Sequence, residues 1–593
     1  MKLSDYVADF LAKQGIRHVF AIIGGASLHL IDSLSKHPRI SYICPQHEQA
    51  GAMAADAYAR VTGNLGAAMA TSGPGATNMI TGVCCAYFDS VPVIYITGQV
   101  ATFRLKRDTG VRQYGFQETD TVEMYRPITK YAVLVEDPQR IRYELEKAVH
   151  IAKSGRPGPV LVDIPDNLQR EQINPDALES FIPPRTTKDL SRLDHQVDQC
   201  LALLRQAKRP VIILGWGVRL AKAVPEAMQF VNTLGFPVVP TWAAIDLLPS
   251  DHPLLVGAFG LHGTRYGNFT VQNADAVLAI GTRLDTHEAG SPLSTFAREA
   301  KRLVVDVDPS ELSKFKRFGL DVDLLIEADA KDFLKNILPK LDRPAMQDIS
   351  AWRKRIAEWK EKYPICPPAY YKEKEVNPYV FQKALSKQSP EDEIFIVDTG
   401  CAIAWMMQAF EFKERQAVFS AFNNTPMGYA LPGSIGASIA LEKKQVTCIV
   451  GDGALQMNIQ ELATVIRHEL PIKIFLINNH GYSMVQQTQE TWLNGRYEAT
   501  TVEGGLAFPD FVKVADAYGY KTVTIRYNSE LGEKISEVYE SPGPVFCNVE
   551  INPKHRVIPQ CSYGRPIEDA EPLLERAEFL ENMIVKPVDA SLK

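Results

Sequence analysis

Short apolar runs alternate with helical patterns along the whole chain. Each run is rich in valine and isoleucine and ends in glycine, aspartate or asparagine, as is typical of buried parallel strands whose carboxyl ends open into binding loops. The pattern predicts an α/β fold with several doubly wound parallel sheets. The nine runs are GAAMATSG, VPVIYITG, RPVIILGWG, DAVLAIGTRLD, RLVVDVDP, EIFIVDTG, QVTCIVGDG, PIKIFLINN and PVFCNVEI.

Two polar stretches interrupt this alternation. The first, residues 163–193, carries several prolines, and the second, residues 328–378, is a charged helical connector that ends in prolines. We therefore expect three α/β domains of about 170 residues each, the first and third similar in size. The predicted bounds are 1–170, 190–345 and 370–560, followed by a polar tail at 561–593.

The composition narrows the class of protein. Of 593 residues, 46% are hydrophobic and 23% charged, which is ordinary for a soluble globular protein. The net charge of −6 argues against a nucleic-acid or membrane-surface binder. No stretch predicts a transmembrane helix, and Asp5, Asp9 and Lys13 interrupt any signal-peptide core. The nine cysteines contain no CxxC pair, which favours reduced thiols in a cytoplasmic protein.

The most informative feature is a GDG corner followed by an NN pair. Gly451, Asp452 and Gly453 turn at the end of one predicted strand, and Asn479 follows the next strand. Both polar side chains should therefore lie at the same edge of a parallel sheet. A carboxylate, an amide oxygen and a backbone carbonyl, here that of Gly481, suit Mg²⁺, and the glycines let the backbone approach a diphosphate. A GDG alone is a common turn, but the spaced NN makes the pattern specific.

This segment resembles the signature of thiamin diphosphate (ThDP) enzymes. Residues 70–100, 115–131 and 423–440 extend the resemblance, which covers roughly 1–560 and is closest to acetolactate synthases. The resemblance implies a pyrimidine-binding, a central and a diphosphate-binding domain, with ThDP and Mg²⁺ as cofactors. It also implies a homodimer or homotetramer with active sites at the subunit interface, and it leaves a regulatory subunit open.

The resemblance assigns roles to individual residues. Glu48 matches the carboxylate that protonates the aminopyrimidine of the cofactor, although alone it could be a helix-start acid. Gln117 is expected near the reacting carbonyl, and Phe116 is expected to line the pocket. Met427 matches a methionine that supports the bent cofactor, where core packing is the alternative. The further residues assigned to this cofactor are Gly24, Gly25, Gly451, Gly453 and Met484.

The middle domain resembles the FAD-binding segments of acetolactate synthases in GWGVR, GAFGLHGTRYGN, GTRLD and DVDPSEL. FAD is therefore expected as a largely structural cofactor, with a vestigial domain of the same fold as the alternative. Arg219 and Arg283 are expected to meet phosphate or flavin atoms, and Asp306 a hydroxyl. The other residues assigned to this site are Gly215, Gly217, Gly260 and His262.

Three features depart from the acetolactate synthase pattern. His287 stands where these enzymes carry an arginine that grips the carboxylate of a second 2-oxo acid, and neutral imidazole cannot replace guanidinium. Thr488 replaces a tryptophan that shapes the acceptor pocket. The loop from Val100 to Phe116 is longer than usual and could meet an anionic acceptor or simply be solvated. Its basic residues are Arg104, Lys106, Arg107 and Arg112.

The sequence thus predicts a ThDP-dependent carboligase that decarboxylates a 2-oxo acid such as pyruvate and transfers the two-carbon unit to a carbonyl acceptor. The departures favour a nucleotide-linked keto sugar, as in enzymes that branch CDP-deoxysugars, and the alternative is acetolactate synthase. Another ThDP decarboxylase or lyase is less favoured. A catalytically silent subunit is least favoured, because Glu48, Asp452 and Asn479 are all present.

Overall fold

The computed structural model describes residues 1–184, 190–341 and 346–592. Three parallel sheets with helices around them follow one another along the chain, which confirms the predicted α/β fold class. Each of the nine apolar runs contains a strand. The predicted end of the central domain at 345 lies outside the described residues. In the described part, no helix is long and apolar enough to cross a membrane.

The first sheet has six strands in the order β2-β1-β3-β4-β6-β5. In chain order these are β1 His18–Ala21, β2 Ser41–Ile43, β3 Gly66–Ala70, β4 Val93–Gln99, β5 Tyr131–Leu134 and β6 Val160–Pro165. Its helices are Leu3–Lys13, Leu28–Lys36, Glu48–Thr62, Pro74–Asn78, Ile80–Phe88, Thr121–Tyr125, Ile141–Lys153 and Asp166–Gln169.

The second sheet has five strands in the order β11-β10-β9-β7-β8. They are β7 Pro210–Leu214, β8 Val238–Pro240, β9 Ala276–Ile280, β10 Lys301–Asp306 and β11 Leu324–Glu327. The accompanying helices are Leu190–Leu204, Trp216–Leu220, Val224–Leu234, Arg265–Gln272, Thr286–Ala289, Pro309–Arg317, Ala330–Ile337 and Ser350–Lys362.

The third sheet has six strands in the order β13-β12-β14-β15-β17-β16, which repeats the order of the first sheet. They are β12 Ile394–Val397, β13 Ala417–Phe419, β14 Val446–Gly451, β15 Ile472–Asn478, β16 Lys521–Ile525 and β17 Val545–Glu550. Its helices are Pro378–Gln388, Cys401–Ala409, Ala430–Ala440, Asp452–Met457, Leu462–Arg467, Ser483–Leu493, Phe511–Ala517 and Leu531–Glu540.

The first and third domains pack through equivalent helices, Glu48–Thr62 and Ala430–Ala440, each of which precedes the third strand of its sheet. Small residues let the two backbones approach closely. A methyl group added at Gly436 would lie 2.0 Å from the carbonyl oxygen of Ala54. One apolar core therefore spans both domains.

The polar tail, to which the sequence assigns no role, returns to the central domain. Ile567 and Phe579 belong to the central apolar core, and the short helix Arg576–Asn582 lies in this segment. The carboxylate of Glu568 contacts the guanidinium of Arg298 at 2.8 Å. The apolar residues of the tail are widely spaced and show no clear period, so the sequence pattern did not predict that the tail packs on the central domain.

Candidate active site

A cavity of about 200 Å³ lies at the carboxyl end of the third sheet. Strands β14 and β15 are parallel neighbours, with Gly451 opposite Ile477, so the residues after each strand meet at one edge. All residues that line the cavity fall between 399 and 485. They include seven of the predicted cofactor and metal residues, namely Met427, Gly451, Asp452, Gly453, Asn479, Gly481 and Met484.

Asp452 is the one carboxylate that lines this cavity in the described part of the chain, and it is 2% exposed. It accepts hydrogen bonds from the backbone N–H of Gly453 at 2.6 Å and of Asn479 and Gly481 at 3.2 Å each. Burial nevertheless raises the pKa of Asp452 to about 6. A divalent cation beside the carboxylate would offset this desolvation cost, so the environment fits a metal ligand.

The side chain of Asn479 is also oriented as a metal ligand. Its amide N–H₂ donates to the hydroxyl of Ser483, which directs the amide oxygen away as the remaining ligand atom. Within residues 1–184, 190–341 and 346–592, no cluster of three or more histidine, cysteine, aspartate or glutamate side chains could hold a metal. A metal in this cavity would therefore take oxygen ligands from one carboxylate, one amide and the backbone, as Mg²⁺ prefers.

Gly453 stands at a point of the cavity wall that has no room for a side chain. A methyl group there would lie 2.1 Å from the ring of Tyr482 and 3.0 Å from the terminal carbon of Met427. The sequence missed Asp398, which is buried and accepts from the backbone N–H of Gly428 at 3.0 Å and of Ala430 at 2.8 Å. Asp398 thereby holds the segment that carries Met427. Its position directly after β12 was the available signal.

Glu48 lies outside this cavity. It is the first residue of helix Glu48–Thr62, and its carboxylate accepts a hydrogen bond from the Asn78 amide at 2.9 Å. Because the cavity is lined only by residues 399–485, the chain does not bring its own Glu48 and Asp452 into one pocket.

Phe116 and Gln117 lie at the surface of the first domain. The Phe116 side chain is 85% exposed, and Gln117 adopts a left-handed backbone with φ of 63°. Gly73 makes room for this turn, because a methyl group there would lie 2.9 Å from the Gln117 carbonyl oxygen. A methyl group at Gly24 would lie 2.5 Å from Thr71, whereas Gly25 has open space around it. None of these four predicted residues lines the third-sheet cavity among the described residues.

The basic loop is folded by Glu118, which the sequence did not single out. Its buried carboxylate accepts from the backbone N–H of Lys106 at 2.5 Å and of Tyr114 at 2.9 Å. Two of the four basic residues predicted to meet an acceptor are paired with acids within the chain. Lys106 contacts Asp120 at 2.7 Å, and Arg107 contacts Glu136. Arg104 lies over the ring of Phe103, and Arg112 is exposed.

A second, larger cavity of about 300 Å³ lies at the carboxyl end of the central sheet. Gly217, Arg283, His287 and Asp306 line it, which brings three predicted flavin residues together with one predicted substrate residue. Burial raises the pKa of Asp306, at the end of β10, to about 6. A buried carboxylate at a strand end suits a ligand hydroxyl, and Arg283 suits a phosphate or ring oxygen, so these residues fit a dinucleotide.

Four other residues predicted for the flavin site do not line this central cavity. Arg219 contacts the buried Asp246 at 2.7 Å, and its predicted contact with phosphate or flavin atoms stays a prediction. Gly215 and Gly260 serve close backbone packing: added methyl groups would lie 2.3 Å from the Gly281 carbonyl oxygen and 2.5 Å from the His287 carbonyl oxygen. His262 contacts His287, which does line the cavity.

His262 and His287 form a buried pair, with Nδ1 of the first 3.0 Å from Nε2 of the second. The Trp242 ring lies 4.4 Å from the His287 ring. Burial lowers the pKa of both histidines, that of His262 to about 3, so both are neutral at pH 7. Thr488 lies on a different element, helix Ser483–Leu493, where its hydroxyl donates to the Met484 carbonyl at 3.3 Å.

The fold and the third-sheet cavity together define a ThDP-binding α/β protein, and comparison with known proteins agrees. Three models described as thiamine pyrophosphate enzyme domains match the chain. They are the N-terminal TPP binding domain at residues 1–124, the central domain at 197–337 and the C-terminal TPP binding domain at 398–549.

Individual relatives show which family of ThDP-dependent enzymes the chain resembles. The chain is 36% identical to an acetolactate synthase large subunit of Parasynechococcus marenigrum (strain WH8102), over 94% of this chain and 88% of the relative. It is 33% identical to an acetolactate synthase large subunit of Cyanidium caldarium, over 94% of each. It is 32% identical to acetolactate synthase 2, chloroplastic, of Nicotiana tabacum, over 96% of this chain and 85% of the relative. The chain belongs to the acetolactate synthase family of ThDP-dependent enzymes.

Proposed function

We propose that this carboligase decarboxylates pyruvate and joins the two-carbon unit to a second 2-oxo acid, the reaction for which its relatives are named. The relatives support this acceptor more strongly than the keto sugar that the sequence departures favour, because the resemblance to enzymes named acetolactate synthase spans 94% of the chain. The single observation that carries the proposal is the cavity formed by Asp452, Asn479 and Gly453 within that family fold.

In this proposal Asp452, Asn479 and the carbonyl of Gly481 hold Mg²⁺, and the backbone at Gly451 and Gly453 contacts the diphosphate. When bound, ThDP supplies a nucleophilic carbon and takes up the electron pair that CO₂ leaves behind. The protein holds the metal and covers the cavity. The buried carboxylate of Asp452 would fix the metal, and Met427 and Met484 give the cavity an apolar surface. Asp398 holds the segment that carries Met427 in place.

We further propose that two copies of the chain form each active site. Glu48, the acid expected to protonate the aminopyrimidine of the cofactor, does not line its own chain's third-sheet cavity and instead accepts a hydrogen bond from Asn78. Five large apolar side chains lie exposed around the carboxyl edge of the first sheet, namely Ile23, Leu28, Phe103, Tyr114 and Phe116. Seating that edge against a partner's third-sheet cavity would bury them and would bring Glu48 to the aminopyrimidine of the cofactor and Gln117 to the reacting carbonyl.

We propose FAD for the central cavity. Arg283 would contact phosphate or ring oxygens and Asp306 a ribose hydroxyl. The measurement is direct, since a purified protein carrying flavin is yellow and releases flavin fluorescence on denaturation.

A cytoplasmic location is also proposed, supported by nine cysteines that are all free thiols, six of them buried.

A neutral ketone acceptor, such as a nucleotide-linked keto sugar, is the second candidate. The observation that favours it is the neutral His287, which pairs with His262 and stands where the resemblance expects an arginine. A neutral imidazole can hydrogen-bond a carbonyl or hydroxyl but gives a carboxylate no charge pairing. The pairing of Lys106 and Arg107 with acids weakens the case for a phosphate-bearing acceptor.

The two candidates separate in one assay. Purified enzyme with ThDP, Mg²⁺ and FAD is given pyruvate alone, and acetolactate and CO₂ are measured. We expect acetolactate to form without any added ketone. If CO₂ release and ligation occur only after a ketone is added, the second candidate replaces the first.

A further inference from the structure

A third cavity, of about 260 Å³, adjoins the central cavity, and residues of helix Trp216–Leu220 line both. We call it the basic cavity. Its polar lining residues are Arg60, Asn64, Lys153, Arg219 and Lys222. Among the lining residues in the described part of the chain there is no carboxylate. It shares five lining residues with the central cavity, namely Lys153, Pro157, Trp216, Leu220 and Lys222, whereas Arg60, Asn64 and Arg219 do not line the central cavity.

Two guanidinium groups in this cavity have hydrogen-bonding capacity left over. Arg60 is buried and uses Nε and Nη2 on Asp56 and Asp89, but its buried Nη1 has no partner among the described residues. Arg219 uses Nη2 on Asp246, and its buried Nε is likewise unpartnered there. Unmet buried donors are costly, so a ligand oxygen at these nitrogens would be stabilising.

Two lysines add charge at the rim. In the described part of the chain, neither Lys153 nor Lys222 is placed in an ion pair with an acid, and the two repel each other. Burial, together with Lys222, lowers the pKa of Lys153. Lys222 also adopts a left-handed backbone with φ of 52°, an uncommon conformation for a non-glycine residue. An anion between the lysines would relieve their repulsion.

The rest of the lining is apolar and comes from Ala59, Val91, Pro92, Pro157, Trp216 and Leu220. We propose that the basic cavity binds an organic anion with a carboxylate or phosphate head and a short apolar body. The head would contact the lysines and the free guanidinium nitrogens, and the body would pack on Trp216 and Pro92. This site is separate from the chemistry at Asp452, so it stands whichever acceptor the enzyme uses.

Isothermal titration calorimetry on the full-length flavin-loaded enzyme tests the proposal. Hexanoate and hexyl phosphate serve as the carboxylate and phosphate probes, and hexanamide is the neutral counterpart. We expect one saturable site that binds at least one of the anions about tenfold or more tighter than hexanamide, because only the anions pair with the cations. Equal affinity for hexanamide, or no saturable binding of either anion, would overturn the proposal.

Variants locate the site. Lys153→Gln and Lys222→Gln remove rim charges on exposed side chains, and Asn64→Asp adds an acid to the basic cavity alone. Each should weaken anion binding by about threefold or more. Lys208→Gln, which removes an exposed lysine outside all three cavities, should leave anion binding unchanged. Weakening by Lys208→Gln equal to that by Lys222→Gln, or no effect of Asn64→Asp in a folded variant, would refute this location.

Discussion

The first and third domains share one strand order but differ in a polar pair at the same position of each sheet. In the first, Gln99 donates to the carboxylate of Asp163 at 2.9 Å. In the third, Asn478 donates to the amide oxygen of Asn548 at 3.1 Å. The residues match strand by strand, since each donor ends the fourth strand and each acceptor is the fourth residue of the sixth. The same strand order thus accommodates in its core either a pair with a titratable carboxyl group or a pair of amides.

The carboxyl edges of the two sheets differ more deeply. The third sheet closes a cavity around Asp452, whereas the first sheet exposes Phe116 and directs Glu48 to Asn78. In the proposed active site, this difference divides the labour between two copies of one fold. One edge would hold the cofactor's metal and diphosphate, and the other would supply the proton-transferring acid and the apolar side chains that cover the cofactor.

The division of labour is tested most strongly by one substitution in each domain. Asp452→Asn should abolish Mg²⁺-dependent ThDP binding and activity together, because the metal loses its carboxylate ligand. Glu48→Gln should lower kcat by about 1,000-fold or more yet leave ThDP bound, because only proton transfer is lost. Calorimetric ThDP titration and initial rates measure both. Unchanged turnover in Glu48→Gln would rule out its assigned role.

The Gln99–Asp163 pair should make the stability of the first domain depend on pH. Burial raises the pKa of Asp163 from 3.8 to about 7. A raised carboxyl pKa means that the folded state holds the proton more tightly, so stability is lost as pH rises from about 4 to 7, by about 4 kcal/mol at most. The thermal midpoint should therefore fall more steeply between pH 5 and 8 in the wild type than in Asp163→Asn.

Asn548→Asp is the reciprocal variant, since it places a carboxyl at the matching point of the third sheet. We expect it to acquire a steeper loss of stability toward alkaline pH than the wild type. Parallel pH profiles for the wild type and Asp163→Asn would contradict the pKa assigned to Asp163.

The contact between the equivalent helices should tolerate no added methyl group. Gly436→Ala would place a carbon 2.0 Å from the Ala54 carbonyl oxygen, where backbone rather than a flexible side chain must move. We expect a destabilisation of about 1–3 kcal/mol. Gly532→Ala is the matched control, because it lies in helix Leu531–Glu540 with nothing within 4 Å, and it should be neutral or stabilising by up to about 1 kcal/mol. Equal thermal midpoints for the two variants would disprove the tight contact.

The smallest expected effect concerns the acceptor. His287→Arg introduces a permanent cation for a carboxylate, so the ratio of acetolactate to ketone-ligation product should rise by about tenfold. His287→Gln, which stays neutral, should not raise it. The measurement is product ratio with pyruvate and a competing neutral ketone. A ratio unmoved by His287→Arg would remove residue 287 from acceptor selection.

Sequence reasoning predicted the α/β class and nine strands, but all six edge strands were absent from its apolar runs. Edge strands such as β2 and β11 are short and half exposed, so they lack the continuous apolar run of a buried parallel strand. The domain bounds stay predictions.

The residues of the third-sheet cavity could be predicted because they follow strands directly, as Asp452 and Asn479 do. The roles of Arg219, Lys106 and Glu118 could not, because each depends on a partner far along the chain or across a loop. A sequence shows the charge of Arg219 but not that Asp246 engages it.

The central claim is that one copy's Glu48 acts at another copy's Asp452. Complementation tests it most directly: Glu48→Gln and Asp452→Asn chains, each inactive alone, are dissociated, mixed and reassembled, and acetolactate formation is assayed. Mixed pairs would hold one intact site of two, and half of randomly assembled pairs are mixed, so about a quarter of wild-type activity should return. If both residues acted within one chain, no reassembled pair would contain an intact site, and activity would stay at the level of the separate variants.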